Sequence, residues 1–412
     1  MKKILLICTF CLISFFVNAQ ILPEAKPFND YSQTVSTETS NTFTKKDYPL
    51  AINQINGWYV KYNQLTPKLK TYLIAYSAYF AYDMACAYSR ESKIDSADTW
   101  LEKSIADGFT DCAHILVDDD LNNLHNDKRF QNDLQQLRNK YDYGYVLKAS
   151  GSYNQNNNVD VPAFTYQSAT DSNLLALRRK FNLDSVSGNG DETSKLKRLL
   201  YWVHNEVKHD GSIGNPKSKN AIDLIAICKK ENRGVNCRMM ATILRDVYQS
   251  EGFPTRIVTC MPKDTADGDC HVITVVWSKT LNKWLWMDPT FNAYVTDDKG
   301  NLLNIEEVRE KLINGDPLVL NDDANWNNQE KQTKEHYLGY YMSKNLYWLQ
   351  CSTKSEWDLE TDKPGKQAID YINLYPGTYN TLHQAKKVYP SQVDYAVNNP
   401  DFFWQKPVTG LQ

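Results

Sequence analysis

One stretch constrains the fold more than any other: GVNCRMMATILRDVYQSEGFPTRIV, residues 234–258. Its apolar and small residues recur at spacings of three and four, which predicts a helix with one buried stripe. Gly252 and Pro254 end this helix, and a β-branched strand follows. Cys237 therefore lies at the first turn of a packed helix, where unpaired N–H groups and the helix dipole favour a thiolate. The stripe consists of Met240, Ala241, Leu244 and Val247.

The two segments that follow provide partners for this cysteine. RIVTCMP and CHVITVVWS are predicted strands, with His271 near the start of the second, and KWLWMDPTFNAYV is a third strand that ends at Asp288. An antiparallel meander can set His271 and Asp288 side by side. A helix packed across that sheet would bring Cys237 to His271. The pattern thus predicts a nucleophile, a base and an orienting carboxylate.

These segments resemble the transglutaminase-like superfamily, which shares the papain-type Cys-His-Asp arrangement. The matching motifs are GVNCRMMATILRDVYQSEGFPTRIV, DCHVITVVW and WLWMDPT, in this order, between about Leu199 and Tyr294. The resemblance implies an α+β catalytic domain with an antiparallel sheet, which we place at residues 160–320. The wider chain, including WVHNEVKHDG and YMSKNLYWLQC, is similar to exported bacterial proteins.

The resemblance also implies a mechanism. His271 would take the proton of Cys237, and Asp288 would fix the imidazole tautomer. The thiolate would attack an amide to form a thioester, which water or a lysine amine resolves. The Cys237 N–H is a candidate oxyanion donor. The family adds a side-chain donor upstream of the cysteine, for which Trp202 and His209 are both candidates. This chemistry uses side chains alone, so we expect no cofactor and no metal.

Several residues also have structural interpretations. Cys237 and His271 could be an inert core thiol and a strand histidine, and an Asp-Pro pair such as Asp288-Pro289 often initiates a turn. His204 and His209 fit capping or packing roles better than catalysis. Cys260 and Cys270 flank a loop between two predicted strands, so a disulfide between them stays open. Trp277, Trp284 and Trp286 are predicted core or sheet-face aromatics.

Two further regions precede the boundary segment at Ser150–Pro162. Residues 20–44 are polar and without a period, which predicts a linker. Residues 45–149 have a helical pattern, and YFAYDMACAYSRESKIDSADTWLEKSIADGF resembles a tetratricopeptide helix pair. A single repeat cannot bury its own face, so we expect helices around Trp58–Leu65 and Phe130–Leu137 to cap it. The repeat-like positions are Met84, Ala85, Tyr88, Ala97, Leu101 and Ser104.

The chain ends have compositions of their own. MKKILLICTFCLISFFVNAQ predicts a signal peptide cleaved after Ala19, and hence a secreted or periplasmic protein without a membrane span. Residues 321–412 are rich in aromatics, and we expect this C-terminal extension to pack back on the catalytic domain as strands or extended chain. The formal net charge of −3 disfavours a nucleic-acid partner.

Two function classes follow. The first is an exported cysteine-dependent acyl-transfer enzyme that uses Cys237, His271 and Asp288 on peptide, protein or cell-wall amides, by hydrolysis or transamidation. The second is a binding or scaffold protein with an idle site, in which the helical domain recruits a protein partner. The three catalytic residue types in family order favour the first.

Overall fold

The computed structural model describes residues 22–156, 160–366, 368–379, 385–389 and 392–407. The chain divides into two compact units, Met1–Asp142 and Tyr143–Gln412. The predicted signal peptide lies outside the described residues. Among the described residues, no helix combines the length and the apolar character that crossing a bilayer requires.

The first unit is helical throughout its described part. α4 and α5 pack together, and the small residues Ala85 and Ala97 are fully buried between them. The helices are α1 (Lys26–Thr44), α2 (Tyr48–Tyr62), α3 (Pro67–Tyr72), α4 (Ile74–Arg90), α5 (Ile94–Ala106), α6 (Cys112–Val117) and α7 (Lys128–Tyr141).

The predicted linker at residues 20–44 is wrong, because α1 occupies Lys26–Thr44. Its polar residues find partners within and across helices. Ser32 Oγ donates to the Phe28 carbonyl at 2.8 Å and accepts from Trp58 Nε1 at 2.8 Å. Tyr76 donates its hydroxyl to Asn29 Oδ1 at 3.1 Å. The polar composition of this segment therefore does not indicate a helix, because the buried face of the helix is stabilised by hydrogen bonds more than by apolar contacts.

The second unit is α+β, as predicted. Six of its described helices begin directly after an Asp or Asn whose side chain accepts a backbone N–H, the usual N-cap arrangement. A π-helical turn spans Glu335–Met342. The helices are α8 (Tyr143–Ser150), α9 (Ser172–Lys180), α10 (Leu183–Ser187), α11 (Glu192–Glu206), α12 (Ala221–Glu231), α13 (Cys237–Ser250), α14 (Ile305–Asn314), α15 (Ser343–Asn345) and α16 (Pro400–Phe403).

The strands of this unit form one large sheet and three two-stranded pairs among the described residues. The large sheet has seven strands in the order β12-β13-β11-β9-β2-β3-β4, and all its pairings are antiparallel except β11 with β13. The strands are β1 (Thr165–Tyr166), β2 (Thr255–Met261), β3 (His271–Ser278), β4 (Lys283–Met287), β5 (Val295–Thr296), β6 (Val319–Leu320), β7 (Asn325–Trp326), β8 (Glu330–Lys331), β9 (Trp348–Ser352), β10 (Lys354–Ser355), β11 (Tyr371–Leu374), β12 (Ala385–Tyr389) and β13 (Gln392–Val397).

The predicted meander is confirmed, since β2 pairs with β3 and β3 with β4. Helix α13 packs on one face of these strands, and Thr274 of β3 donates its hydroxyl to the Ala241 carbonyl at 3.2 Å. The other face carries an apolar core that includes Val258, Ile273 and Trp286.

The described part of residues 321–412 packs on the domain partly as strands, of which β9, β11, β12 and β13 extend the same sheet. β9 pairs with β2 along Val258–Met261, and β11 and β13 continue the sheet from there. The structure therefore joins segments from the middle and the end of the chain. The β2–β3–β4 meander occupies one side of the sheet, and β9, β11, β13 and β12 occupy the other.

Candidate active site

Cys237 is the first residue of α13 and is partly buried. The preceding Asn236 is the N-cap, and its Oδ1 accepts the Met239 N–H at 3.1 Å. The first N–H groups of a helix have no intrahelical partner, so those of Cys237 and Arg238 point out of the helix start. The sulfur thus lies beside N–H donors at the positive end of a helix dipole, which favours a thiolate.

His271 and Asp288 meet at the end of the sheet. His271 opens β3, and Asp288 directly follows β4. His271 Nε2 lies 2.7 Å from Asp288 Oδ2, and the two side chains are at most 1 % exposed. This pairing leaves Nδ1 of His271 without a carboxylate partner, and His271 interacts electrostatically with the Cys237 thiol.

Asp288 is held by three further contacts. Its Oδ1 accepts the Thr290 N–H at 2.9 Å, and its Oδ2 also accepts the Tyr337 hydroxyl at 2.6 Å. Its backbone exchanges two hydrogen bonds with Ala293, each 2.9 Å long. Trp286 Nε1 in turn donates to the Tyr337 oxygen at 3.2 Å. The carboxylate that orients His271 is therefore itself fixed in place.

The electrostatics favour a charged Cys237–His271 pair. Burial raises the pKa of the Cys237 thiol, but hydrogen bonds and charge interactions with His209 and His271 outweigh it and lower the pKa to about 6. Burial lowers the pKa of His271, and Asp288 together with Cys237 raises it to about 10. Between these values the thiolate and the imidazolium coexist.

His209 is the second histidine at the thiol. The sequence favours a capping or packing role for it, although it is also one of two candidates for the upstream side-chain donor, and it interacts electrostatically with Cys237. Trp326 Nε1 donates to His209 Nδ1 at 3.1 Å. In its neutral form His209 must then have its proton on Nε2, because Nδ1 is an acceptor. The ring presents an N–H donor to the thiol.

The backbone of His209 is fixed from two sides. Asn327 accepts the His209 N–H at 2.7 Å and donates to its carbonyl at 3.0 Å. On the other side His209 forms a parallel bridge with Val235, two residues before the nucleophile. A Cβ on Gly234 would lie 2.7 Å from Asp210 Cβ and 2.9 Å from the Lys208 carbonyl. Only glycine lets these two segments approach closely enough to place His209 beside Cys237.

Tyr341 is a further site residue from the C-terminal part of the unit. Its hydroxyl lies 3.4 Å from His271 Nδ1. Its ring lies edge-on to the His271 ring, with 5.2 Å between centroids. Phe291 packs against the same imidazole at 5.5 Å. These rings exclude water from His271 and strengthen its interaction with Asp288.

The other residues singled out from the sequence have structural surroundings. His204 places Nδ1 2.9 Å from the Pro289 carbonyl and Nε2 3.0 Å from Asn325 Oδ1, in agreement with a packing role. Trp202 packs on Phe181 instead of reaching the thiol. Cys260 and Cys270 are free thiols, so the disulfide left open above is not formed. Among the described residues, no group of three or more His, Cys, Asp or Glu is arranged to hold a metal ion.

Comparison with known families agrees with this site. Residues 179–289 match the family model described as the transglutaminase-like superfamily. This segment contains Cys237, His209, His271 and Asp288, and we assign it to that superfamily. The helical unit lies outside the match, and its tetratricopeptide-like character stays a prediction.

One solved structure is similar over a limited region. It is named "Putative Cysteine Protease from Cytophaga hutchinsonii" and is 19 % identical, with a TM-score of 0.23. The similarity covers 28 % of this chain and 37 % of that chain, so this protein spans little more than a third of its length. The comparison with curated proteins gives no match.

Proposed function

We propose that this protein is a cysteine-dependent acyl-transfer enzyme that acts on amide bonds through a thioester at Cys237. The observation that supports this most is the buried His271–Asp288 pair, 2.7 Å apart, together with Cys237 at the first position of α13, where His209 and His271 lower the pKa of the thiol to about 6. A structural thiol in an apolar core has its pKa raised, as Cys260 does.

In the acylation step, the Cys237 sulfur attacks the amide carbon and a C–S bond forms. The carbonyl electron pair moves to oxygen, where the Cys237 N–H and the His209 Nε2–H are positioned to donate. The His271 imidazolium then gives its proton to the nitrogen as the C–N bond breaks. Ammonia or an amine leaves, and the acyl group stays on sulfur.

In the deacylation step, water or an amine attacks the thioester and His271 takes the proton of the attacking group. The same two N–H groups donate hydrogen bonds to the second oxyanion, and the C–S bond breaks to return the thiolate. Asp288 keeps its hydrogen bond to His271 throughout, so the imidazole stays in the correct orientation. The predicted signal peptide favours substrates outside the cytoplasm, namely peptides, proteins or cell-wall amides.

Two reagents test the proposal, because both react with the thiolate but only one of the two reactions passes through an oxyanion. Iodoacetamide alkylates a thiolate without forming an oxyanion, whereas p-nitrophenyl acetate acylates it through one. We expect both to react with Cys237 at pH 7 far faster than with Cys270, a partly exposed thiol whose pKa burial raises. For each reagent, mass spectrometry of the modified peptides measures the reaction rates of Cys237 and Cys270 in the same sample.

The Cys237→Ser variant provides the matched control. It should keep the melting temperature of the native protein and lose p-nitrophenyl acetate turnover by about 10³-fold or more, because serine has no comparable anion near neutral pH. If Cys237 reacts no faster than Cys270, the site is idle. The scaffold interpretation of the helical unit would then be the better one.

A further inference from the structure

A polar cavity lies on the sheet face that α13 covers. Its volume is about 430 Å³, and Arg238, the residue after Cys237, forms part of its wall. Arg238 Nη1 donates to Thr259 Oγ1 of β2 at 3.0 Å. Its guanidinium also interacts electrostatically with the Cys237 sulfur. The cavity wall thus begins one residue along α13 from the reacting group.

The register of the sheet explains why the floor of this cavity is polar. Thr259 of β2 pairs with Gln350 of β9, and Gln350 pairs with Asn373 of β11, so these three side chains share one face. Their chain neighbours Val258 and Cys351 point to the opposite face and are buried in the apolar core. A row of hydrogen-bonding groups thus extends across the strands away from the thiol.

The charges on the cavity wall do not balance. Glu360 accepts three hydrogen bonds from Arg238, of 2.6 to 3.0 Å, so this pair is neutral. Lys219 and Lys366 are the other charged side chains on the wall. In the described part of the chain neither forms an ion pair, and Lys366 Nζ donates to the Glu360 carbonyl at 3.0 Å. Three cationic side chains and one carboxylate line the wall, so the cavity is net positive and suits an anionic ligand.

We propose that this cavity is a substrate subsite that binds a carboxylate close to the scissile amide, through Lys219 and Lys366. The inference rests on the proposed function, since it takes Cys237 as the reacting group. Ammonium donors and neighbouring amide side chains suit a carboxylate, whereas an apolar or cationic substrate group would meet unfavourable desolvation or repulsion. The substrate class is thus an amide with an acidic side chain or a free terminal carboxylate.

The test uses three iodoacetylated amino acids that alkylate Cys237 and differ in charge alone. They are N-iodoacetyl-glutamine amide, which is neutral, N-iodoacetyl-glutamate α-amide, with a side-chain carboxylate, and N-iodoacetyl-glutamine with a free α-carboxylate. Each is made with and without a glycine spacer. We expect at least one acid reagent to label Cys237 about tenfold faster than the neutral one at low ionic strength, and the advantage to fall with added salt. If the glutamate α-amide reagent reacts faster, the subsite binds a side-chain carboxylate. If the reagent with the free α-carboxylate reacts faster, the subsite binds a terminal carboxylate.

The double variant Lys219→Met, Lys366→Met removes both charges and keeps the side-chain length. It should abolish the acid advantage and leave labelling by the neutral reagent unchanged. Lys299→Met, at an exposed turn, is the control that should keep the advantage. Equal rates for all reagents in the native protein, or an advantage that survives the double variant, would overturn the subsite. Failure of the neutral reagent and of iodoacetamide to label Cys237 would instead overturn the proposed function.

Discussion

The two histidines beside Cys237 are the same residue type in two different environments. His271 faces a buried carboxylate, Asp288, at 2.7 Å, and its pKa is raised to about 10. His209 faces the neutral indole of Trp326 at 3.1 Å, which fixes its tautomer without adding a charge. A carboxylate partner makes a histidine a proton carrier, and an indole partner makes it a fixed hydrogen-bond donor. Because the partners differ, substitutions of His271 and of His209 should change the alkylation and acylation rates of Cys237 differently.

The largest effect is expected for His271→Ala. Without the imidazolium the pKa of Cys237 rises, so less thiolate exists at pH 7. Alkylation by iodoacetamide should fall about tenfold or more, and acylation by p-nitrophenyl acetate about 10²-fold or more. Stopped-flow kinetics from pH 5 to 10 measure both rates. The native rate should rise through about pH 6, since the thiolate fraction is lost below its pKa of about 6. A native profile that rises only near pH 8.5, the range of an ordinary thiol, would contradict the charged pair.

Asp288→Asn should come next, with about a 10²-fold loss of acylation turnover. The amide can orient the ring, but it donates where the carboxylate accepted, so the imidazole adopts the wrong tautomer. Alkylation should decline less than in His271→Ala, because the ring is still present beside the thiol. Tyr337→Phe is the matched milder change, since it removes one donor to Asp288 Oδ2 and leaves the carboxylate. Equal loss of alkylation in Asp288→Asn and His271→Ala would show that orientation of the ring matters as much as its presence.

His209→Ala tests the other side of the comparison. If the ring donates to the oxyanion, acylation should fall by about 10²-fold, the usual cost of losing such a donor. Alkylation, compared at a pH where the thiol is fully ionised, should change little. His209→Gln keeps an N–H donor and should recover part of the acylation rate, whereas His271→Gln should recover none. An equal loss of alkylation and acylation in His209→Ala would mean that His209 acts on the thiol alone.

The smallest effect is expected for Trp326→Phe. The ring is kept while the N–H that fixes the His209 tautomer is lost, so part of the His209 population moves its proton to Nδ1. Acylation should decrease about threefold to tenfold, and the effect should vanish in a His209→Gln background, which has no tautomer to fix. Double-mutant kinetics provide the measurement. Additive losses in the two variants would exclude the tautomer explanation.

The sequence allowed the catalytic meander to be predicted because its signals are local. The apolar stripe defined α13, and alternating strands placed His271 and Asp288 at neighbouring strand ends. His209 lacked such a signal, since it follows α11 in an irregular segment and its partner Trp326 lies 117 residues away. Gly234 was the available clue, because a glycine just before a nucleophile indicates a close backbone approach. Tyr337 and Tyr341 lie in a π-helical turn, which apolar periodicity does not reveal.

The other errors have related causes. The polar segment 20–44 appeared to be a linker because its helix relies on specific hydrogen bonds such as that between Ser32 and Trp58, which composition cannot show. The C-terminal region was expected to pack on the catalytic domain as strands or extended chain, but the pairing of β9 with β2, far earlier in the chain, was not predicted. In both regions the interactions that determine the structure join residues far apart in the chain. The pattern of a short stretch of sequence therefore cannot reveal them.

The insertion of β9 beside β2 has a consequence for the protein during its synthesis. When the ribosome has passed Asp288, the nucleophile, the base and the carboxylate have all been made, but Trp326, Tyr337 and β9 have not. The nascent domain then has β2 as an open edge, which can pair with other chains. His209 also lacks Trp326, and Asp288 lacks Tyr337. Full reactivity at Cys237 should therefore arise only late in translation, and nascent chains are exposed to aggregation until β9 closes the edge.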